Sequence, residues 1–311
     1  MNKISVIVPV FNASKTIKKC IESILNQTSP VFEIVLVNDG STDNSEQVIK
    51  KYKEKYDNIK YYSKENSGVA NTRNYGIEKA TGNYILFIDS DDYIEQDLIE
   101  KCSKYIEQGI ELIKFKLKRV NEKGDTIETV DGPTFEKVTG EEAFNTLYYQ
   151  DVLLDSPCVY IIKKDLFKNN KFKGTYHEDF GLIPLIVVKA KTVVSLPDYF
   201  YNYVQVENSI TRNEDYNKTI KKMEQVLFQY DNMIKTIEKL EIAKKTKENI
   251  RIYYTNAIIM KLKELKTEDR KKFVKELKKR KMFKNLKIRN LKQLIKRLIL
   301  HVNVNLYLKM R

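Results

Sequence analysis

The chain has 311 residues, of which 42% are hydrophobic and 32% charged, with a formal net charge of +14. That composition excludes a disordered chain and is enough for one larger domain plus an appendage. Three scattered cysteines (Cys20, Cys102, Cys158) and two histidines (His177, His301) exclude a disulfide framework or a zinc site and predict a reducing compartment.

Residues 4–10 read as a first strand that runs through Pro9 and Val10 into a loop at Phe11 and Asn12. Ser14 then caps a helix whose apolar face is Ile17, Ile21, Ile24 and Leu25. Residues 33–39 repeat the pattern, with a strand, Asp39 at its end, the Gly40-Ser41 turn and a helix over about 43–56. A third short strand covers 58–62, and residues 65–76 open a helix that stops near Thr81-Gly82 on a glycine C-cap. Next, the apolar run 84–88 reads as a buried strand and passes directly into Asp89, Asp91 and Asp92, with a helix beginning at Gln96, Asp97 and Leu98.

Strands alternating with helices on short connections predict a parallel, doubly wound sheet. Asn12, Asp39 and residues 89–92 then line one edge, where ligands bind in such sheets. Clustered carboxylates repel one another unless a cation holds them, and hard oxygen donors suit Mg²⁺ or Mn²⁺. A phosphate-bearing substrate would complete the coordination. No Gly-x-Gly-x-x-Gly follows the first strand and no Gly-x-x-x-x-Gly-Lys-Ser/Thr occurs, which argues against a dinucleotide oxidoreductase and a P-loop phosphotransferase.

Four segments in this order and spacing carry a resemblance: Ile7-Val8-Pro9-Val10-Phe11-Asn12, Val37-Asn38-Asp39-Gly40-Ser41, Asn66-Ser67-Gly68 with Arg73-Asn74, and Ile88-Asp89-Ser90-Asp91-Asp92. They resemble the family 2 glycosyltransferases of the GT-A fold, inverting enzymes of the bacterial surface and capsular polysaccharide type. The likeness covers about the first 100 residues and extends more faintly to about residue 215. It implies the α/β nucleotide-diphospho-sugar transferase fold, with a mostly parallel central sheet. It also implies that Pro9, Val10, Phe11, Asn12, Asp39, Asn66 and Gly68 hold the base and ribose of a UDP-like nucleotide. Arg73 would sit near the nucleotide or its diphosphate. Asp89 and Ser90 would reach the ribose, and Asp89, Asp91 and Asp92 would hold Mn²⁺ or Mg²⁺.

The second half should build the acceptor side. It reads as a helix over 96–108, a strand over 110–120, a turn at 121–125 and a hairpin return over 127–130, then a helix over 139–149 and a strand over 158–162. Residues 174–180 precede an apolar helix through Leu182, Leu185, Ile186 and Val187. Acids at a helix start serve the helix dipole. The resemblance gives them a second role, with Asp179 as catalytic base and Glu178 as its helper or rival. A strand over 199–204 leads to Ser209 and Arg212, which the resemblance places over the diphosphate. The expected division is thus a catalytic domain at 1–213, split into a nucleotide-binding half (1–108) and an acceptor half (109–213), and a helical, strongly basic region at 214–311.

That last region reads as helices over about 214–240, 243–266 and 268–280. Residues 270–311 carry 16 Lys and Arg against one acid, Glu276, a net +15, so the preceding residues sum to −1. Leu291, Leu294, Ile295, Leu298 and Val302 share one helical face, with Lys292, Lys296 and Arg297 off it. A basic amphipathic helix is the pattern of a membrane-surface anchor, and each Lys or Arg near an anionic leaflet contributes about 1 kcal/mol. The same face would also suit packing on the catalytic domain or on a partner subunit, so a homo-oligomer stays open. Nucleic acid is not expected, because only Tyr307 interrupts the basic residues after Phe283. No run approaches the roughly 18 to 20 apolar residues of a membrane span, and no cleavage-site pattern follows Met1. The expected place is the cytoplasm, on the inner face of the cell membrane.

The expected reaction is metal-dependent transfer, with inversion, of a sugar from a UDP-like donor to a hydroxyl of a saccharide or lipid-linked saccharide. Two alternatives stand beside it. A nucleotidyltransferase making sugar nucleotides should carry a glycine-rich, Arg/Lys-bearing loop where Pro9-Val10-Phe11-Asn12 stands. A non-catalytic nucleotide-sugar-binding protein would bind a donor without hydrolysing it.

Overall fold

Seven consecutive buried residues form strand β1 (Ile4–Val10), and seven more form β2 (Glu33–Asp39). Strands covered on both faces belong in the middle of a parallel sheet. Helix α1 (Ile17–Leu25) buries Ile17, Cys20, Ile21 and Ile24, the spacing of one helical stripe. Helix α2 (Ser45–Lys53), strand β3 (Ile59–Lys64), helix α3 (Val69–Lys79) and strand β4 (Tyr84–Phe87) continue the alternation. The computed structural model describes residues 3–152, 155–205 and 215–286, with Ile299, Leu306 and Leu308. They divide into two compact units, Met1–Ser209 and Ile210–Arg311.

Within the first unit β3, β2, β1 and β4 lie side by side and parallel. The chain winds from β1 outward to β3 and then crosses back to lay β4 on the other side of β1. That reversal opens a crevice beyond the carboxyl ends of β1 and β4.

The second half of this unit attaches to β4. After strand β5 (Tyr93–Ile94) and helix α4 (Leu98–Glu107) come β6 (Leu112–Asn121), β7 (Thr126–Val130), β8 (Phe135–Val138) and helix α5 (Gly140–Tyr149). Strand β9 (Tyr160–Lys163), helix α6 (Ile183–Lys189) and strand β10 (Val193–Gln205) complete it. The sheet continues β4, β9, β6, β10, β5. β9 is antiparallel to both neighbours, β6 is parallel to β10, and β5 is antiparallel to β10. The architecture is α/β with a mostly parallel central sheet, followed by a helical region.

Several local expectations give way. Ser14 does not cap α1; its N–H donates to Asp43 Oδ2 at 2.9 Å, and the helix starts after Thr16. Gly82 is not the C-cap of α3, which ends at Lys79 with Ala80 already extended. Gly82 is needed for close approach instead, since a β-carbon there would lie 2.5 Å from Ser5 Oγ and 2.6 Å from Lys3 O.

The second unit holds α7 (Tyr216–Glu238), α8 (Lys244–Lys261) and α9 (Thr267–Lys279). Val226, Tyr230, Met233 and Ile237 of α7 are buried, as are Ile250, Tyr254 and Ile258 of α8 and Phe273 and Leu277 of α9. Arg280 joins Asp231 by a forked hydrogen bond with both oxygens near 3.0 Å. The stripe from Leu291 to Val302 expected as a surface anchor falls outside the described residues, apart from Ile299.

Candidate active site

The crevice at the strand reversal is a cavity of about 370 Å³. Pro9, Val10 and Phe11 reach it from the end of β1, and Asp39 from the end of β2. Asn66 and Gly68 reach it from the β3–α3 loop, and Asp89, Ser90 and Asp91 from the turn after β4. Val69 and Thr72 of α3, not singled out from the sequence, also line it. Phe11 is half exposed, at 51%, and offers a ring face to a ligand.

Asp39 is almost fully buried and shapes the cleft floor. Oδ1 accepts from the Lys64 ammonium and from Ser67 N–H at 3.0 Å, and Oδ2 accepts from Gly68 N–H at 2.9 Å. Burial alone would raise its pKa, but the Lys64 and Ser67 hydrogen bonds and the Lys64 charge outweigh that and hold it below the ordinary aspartate value. Lys64 stands directly beside Asp39 in the β2–β3 register, a pairing that strand-end register could have revealed. Gly40 lets the 65–68 loop close in: its φ is +71°, and a β-carbon would lie 2.9 Å from Asn66 N.

Asn12 does not line the cleft. With φ of +49°, it fixes the β1–α1 turn, its Oδ1 accepting from Thr42 N–H at 2.8 Å and its N–H donating to Ser41 Oγ at 3.0 Å.

Arg73 is buried beside the cleft. It is 5% exposed and not among the residues lining the cleft, though it bonds Asp89, which is. Nη1 donates to Glu178 Oε1 at 2.5 Å and Nη2 to Asp89 Oδ1 at 2.8 Å, with the guanidinium 5.6 Å from the centre of the Phe172 ring. One buried cation thus ties the acidic turn after β4 to the acids before α6.

In that second pair, Glu178 is occupied by Arg73. Asp179 Oδ1 accepts from Phe180 N–H at 2.7 Å, and no side chain among the described residues is paired with its carboxylate. Burial pushes both carboxyls above their ordinary values, against the pull of Arg73. A carboxylate free of a side-chain partner and with a raised pKa is suited to taking a proton.

Asp92 departs most from its expected role. It is 2% exposed and absent from the cleft lining. Its Oδ2 accepts from the Tyr201 hydroxyl at 2.5 Å and its Oδ1 from Val204 N–H at 2.8 Å. Burial, then the charges of Asp89 and Asp91, push its pKa to about 8 despite those bonds. Each oxygen of Asp92 thus already accepts from a protein donor, which makes it a weaker candidate ligand than the acids that open on the cleft.

The divalent-ion reading therefore rests on Asp91, which opens on the cleft, and on the oxygen of Asp89 that Arg73 leaves free. Among the described residues no group of three His, Cys, Asp or Glu could hold an ion unaided. Two carboxylates with oxygens still required from a substrate diphosphate and water fit the habit of Mg²⁺ and Mn²⁺. Ser209 and Arg212 lie outside the described residues. A larger hollow of about 700 Å³ runs along the other side of α3, between Asn71, Tyr75 and residues 164–171. It contains none of the acids discussed above, so the smaller cleft is the better candidate on chemical grounds.

A parallel sheet with a strand-order reversal, a cleft walled by β1 and β4, and an Asp-x-Asp turn facing it define the GT-A class. The chain belongs to glycosyl transferase family 2, whose description matches residues 5–169. It is 33% identical over 220 residues to glycosyltransferase GlyA of Streptococcus pneumoniae serotype 4, covering 68% of this chain and 32% of GlyA. To the minor teichoic acid biosynthesis protein GgaB of Bacillus subtilis it is 33% identical over 216 residues, covering 64% of this chain and 22% of GgaB. The chain thus spans a third or less of these two relatives. The crystal structure of S. aureus TarS 1-349 in complex with UDP-GlcNAc shares the fold, with a TM-score of 0.57, 24% identity, and coverage of 83% of this chain and 81% of that one.

Proposed function

We propose that this chain transfers a sugar from a UDP-linked donor to a hydroxyl of a saccharide or lipid-linked saccharide in surface polymer synthesis, with inversion at the anomeric carbon. The observation that carries this is the link from the donor cleft to a carboxylate of raised pKa, running from Asp89 through Arg73 to Glu178 and its neighbour Asp179. The UDP-GlcNAc complex of TarS, which shares the fold, and the teichoic acid role in the name of GgaB support the choice of donor and product class.

Pro9, Val10, Phe11, Asp39 and Asn66 shape the pocket for base and ribose. Asp91 and the free oxygen of Asp89 would hold Mn²⁺ or Mg²⁺ together with the donor's diphosphate. Bound there, the ion would offset the charge that grows on the leaving group. The Asp179 carboxylate accepts the proton of the acceptor hydroxyl as it attacks, while Glu178 is held by Arg73. With the cleft carboxylates Asp89 and Asp91 assigned to the ion and Asp179 to the acceptor proton, the reaction is one displacement. The basic residues at 270–311 would hold the protein at an anionic membrane surface, beside a lipid-linked acceptor. No described helix is long and apolar enough to cross a membrane.

The test is a panel of nucleotide sugars, assayed for hydrolysis and transfer with and without Mn²⁺. Asp179→Asn is expected to retain donor binding and to lose about 10²- to 10⁴-fold in turnover. Near-normal turnover in Asp179→Asn would refute the base, and donor binding without hydrolysis in the unaltered chain would favour a non-catalytic binding protein.

A further inference from the structure

We infer that Tyr201 is the positioning residue of the acidic turn, and that Asp92 is the anchor through which it acts. This rests on the metal-and-diphosphate reading of the cleft proposed above.

Tyr201 lies on β10, which is separated from β4 in the sheet by β9 and β6, yet its hydroxyl reaches the turn after β4. That one oxygen engages both ends of the turn. It accepts from Asp89 N–H at 3.2 Å and donates to Asp92 Oδ2 at 2.5 Å. Asp92 returns to the same strand through Val204 N–H, and its own N–H closes the turn on Asp89 O at 3.0 Å. Beyond the turn, Tyr93 and Ile94 pair with Asn202 and Tyr201. The first and last residues of the turn are thus clamped to β10, while Ser90 and Asp91 between them face the cleft.

Tyr201 is 2% exposed and does not line the cleft, so a bound donor would not touch it. Its effect must pass through the backbone of Asp89 and the carboxylate of Asp92. Partners that orient metal ligands in this way are typically worth about 10- to 100-fold in metal affinity.

The experiment uses the full chain and reads binding rather than turnover. Mn²⁺ is titrated in the presence of UDP and followed by electron paramagnetic resonance, while metal-free UDP binding is measured by calorimetry. Tyr201→Phe removes one oxygen and keeps the buried ring. It is expected to weaken Mn²⁺ binding about 10- to 100-fold, leaving metal-free UDP affinity within about twofold because Asp39 and Asn66 are untouched. Asp92→Asn keeps the shape but leaves one acceptor oxygen for two donors, Tyr201 and Val204, so the clamp loses one of its bonds and Mn²⁺ affinity should shift in the same direction. Circular dichroism identifies the folded variants. Unchanged Mn²⁺ affinity in either folded variant overturns the inference while the unaltered chain still binds the ion with UDP. An unaltered chain that binds UDP but no Mn²⁺ overturns the metal reading itself, and this inference with it.

Discussion

Arg73 carries its charge where water scarcely reaches, so fixed carboxylates must balance it. Glu178, 105 residues away in the chain, and Asp89, 16 away, do so. Arg73→Met should strand those acids and cost about 3–5 kcal/mol, the usual penalty for removing one partner of a buried pair, measurable by urea denaturation. Thermal stability equal to that of the parent would mean that water, not Arg73, satisfies the acids. Asp179 gives a second expectation at this scale. Burial favours its protonated form, and if it is the base proposed above it must be ionised to act, so kcat/KM should fall with decreasing pH through an apparent pKa above that of an ordinary aspartate. Asp179→Asn should flatten that acidic limb. Pro9, Val10, Phe11, Asp39 and residues 89–91 were legible in the sequence because they lie at or just past strand ends, where apolar runs stop, whereas Val69 and Thr72 on α3 were not. Tyr201 was not, since a tyrosine within a strand carries no mark of which turn its hydroxyl will meet.

Among the elements, β1, β2 and β4 announce themselves because burial on both faces demands unbroken apolar runs. β5 is two residues long and has no periodicity to read. β10 runs from Val193, well before the expected start at 199, because Pro197 interrupts it and its register against β6 shifts between Ser195 and Tyr199. A proline in a strand pattern is often the sign of such a bulge. Two glycines test the packing of helices on this framework. A β-carbon on Gly76 would overlap Ile7 Cγ2 and push α3 off β1, and one on Gly140 would overlap the backbone oxygen of Val187 and part α5 from α6. Gly140→Ala meets rigid backbone rather than a movable side chain, so it should destabilise the more, by about 1–3 kcal/mol or above. Chemical denaturation of the two variants side by side checks the ranking.

For the molecule as a whole, the charge is divided as sharply as the chain. Residues 270–311 hold a net +15 and all the rest sum to −1. If that concentration serves an anionic surface, the protein should sediment with vesicles containing phosphatidylglycerol, ignore neutral phosphatidylcholine vesicles, and be released at about 1 M salt, where the Debye length falls to about 3 Å. Binding that resists salt would point to apolar insertion instead.

The clamp on the acidic turn has a consequence for the order of assembly. Residues 89–92 are synthesised about a hundred residues before Tyr201 and Val204, yet they are pinned only once β10 has docked. Pairings so distant in the chain form slowly, because loop closure must precede any gain from contact. A ribosome-bound chain halted before residue 193 would therefore carry every acid of the turn on a sheet of nearly finished β–α units, with the turn still unpinned. On the reading proposed above, competence to hold the ion would arrive late and in a single step, when the last strand made slides into place.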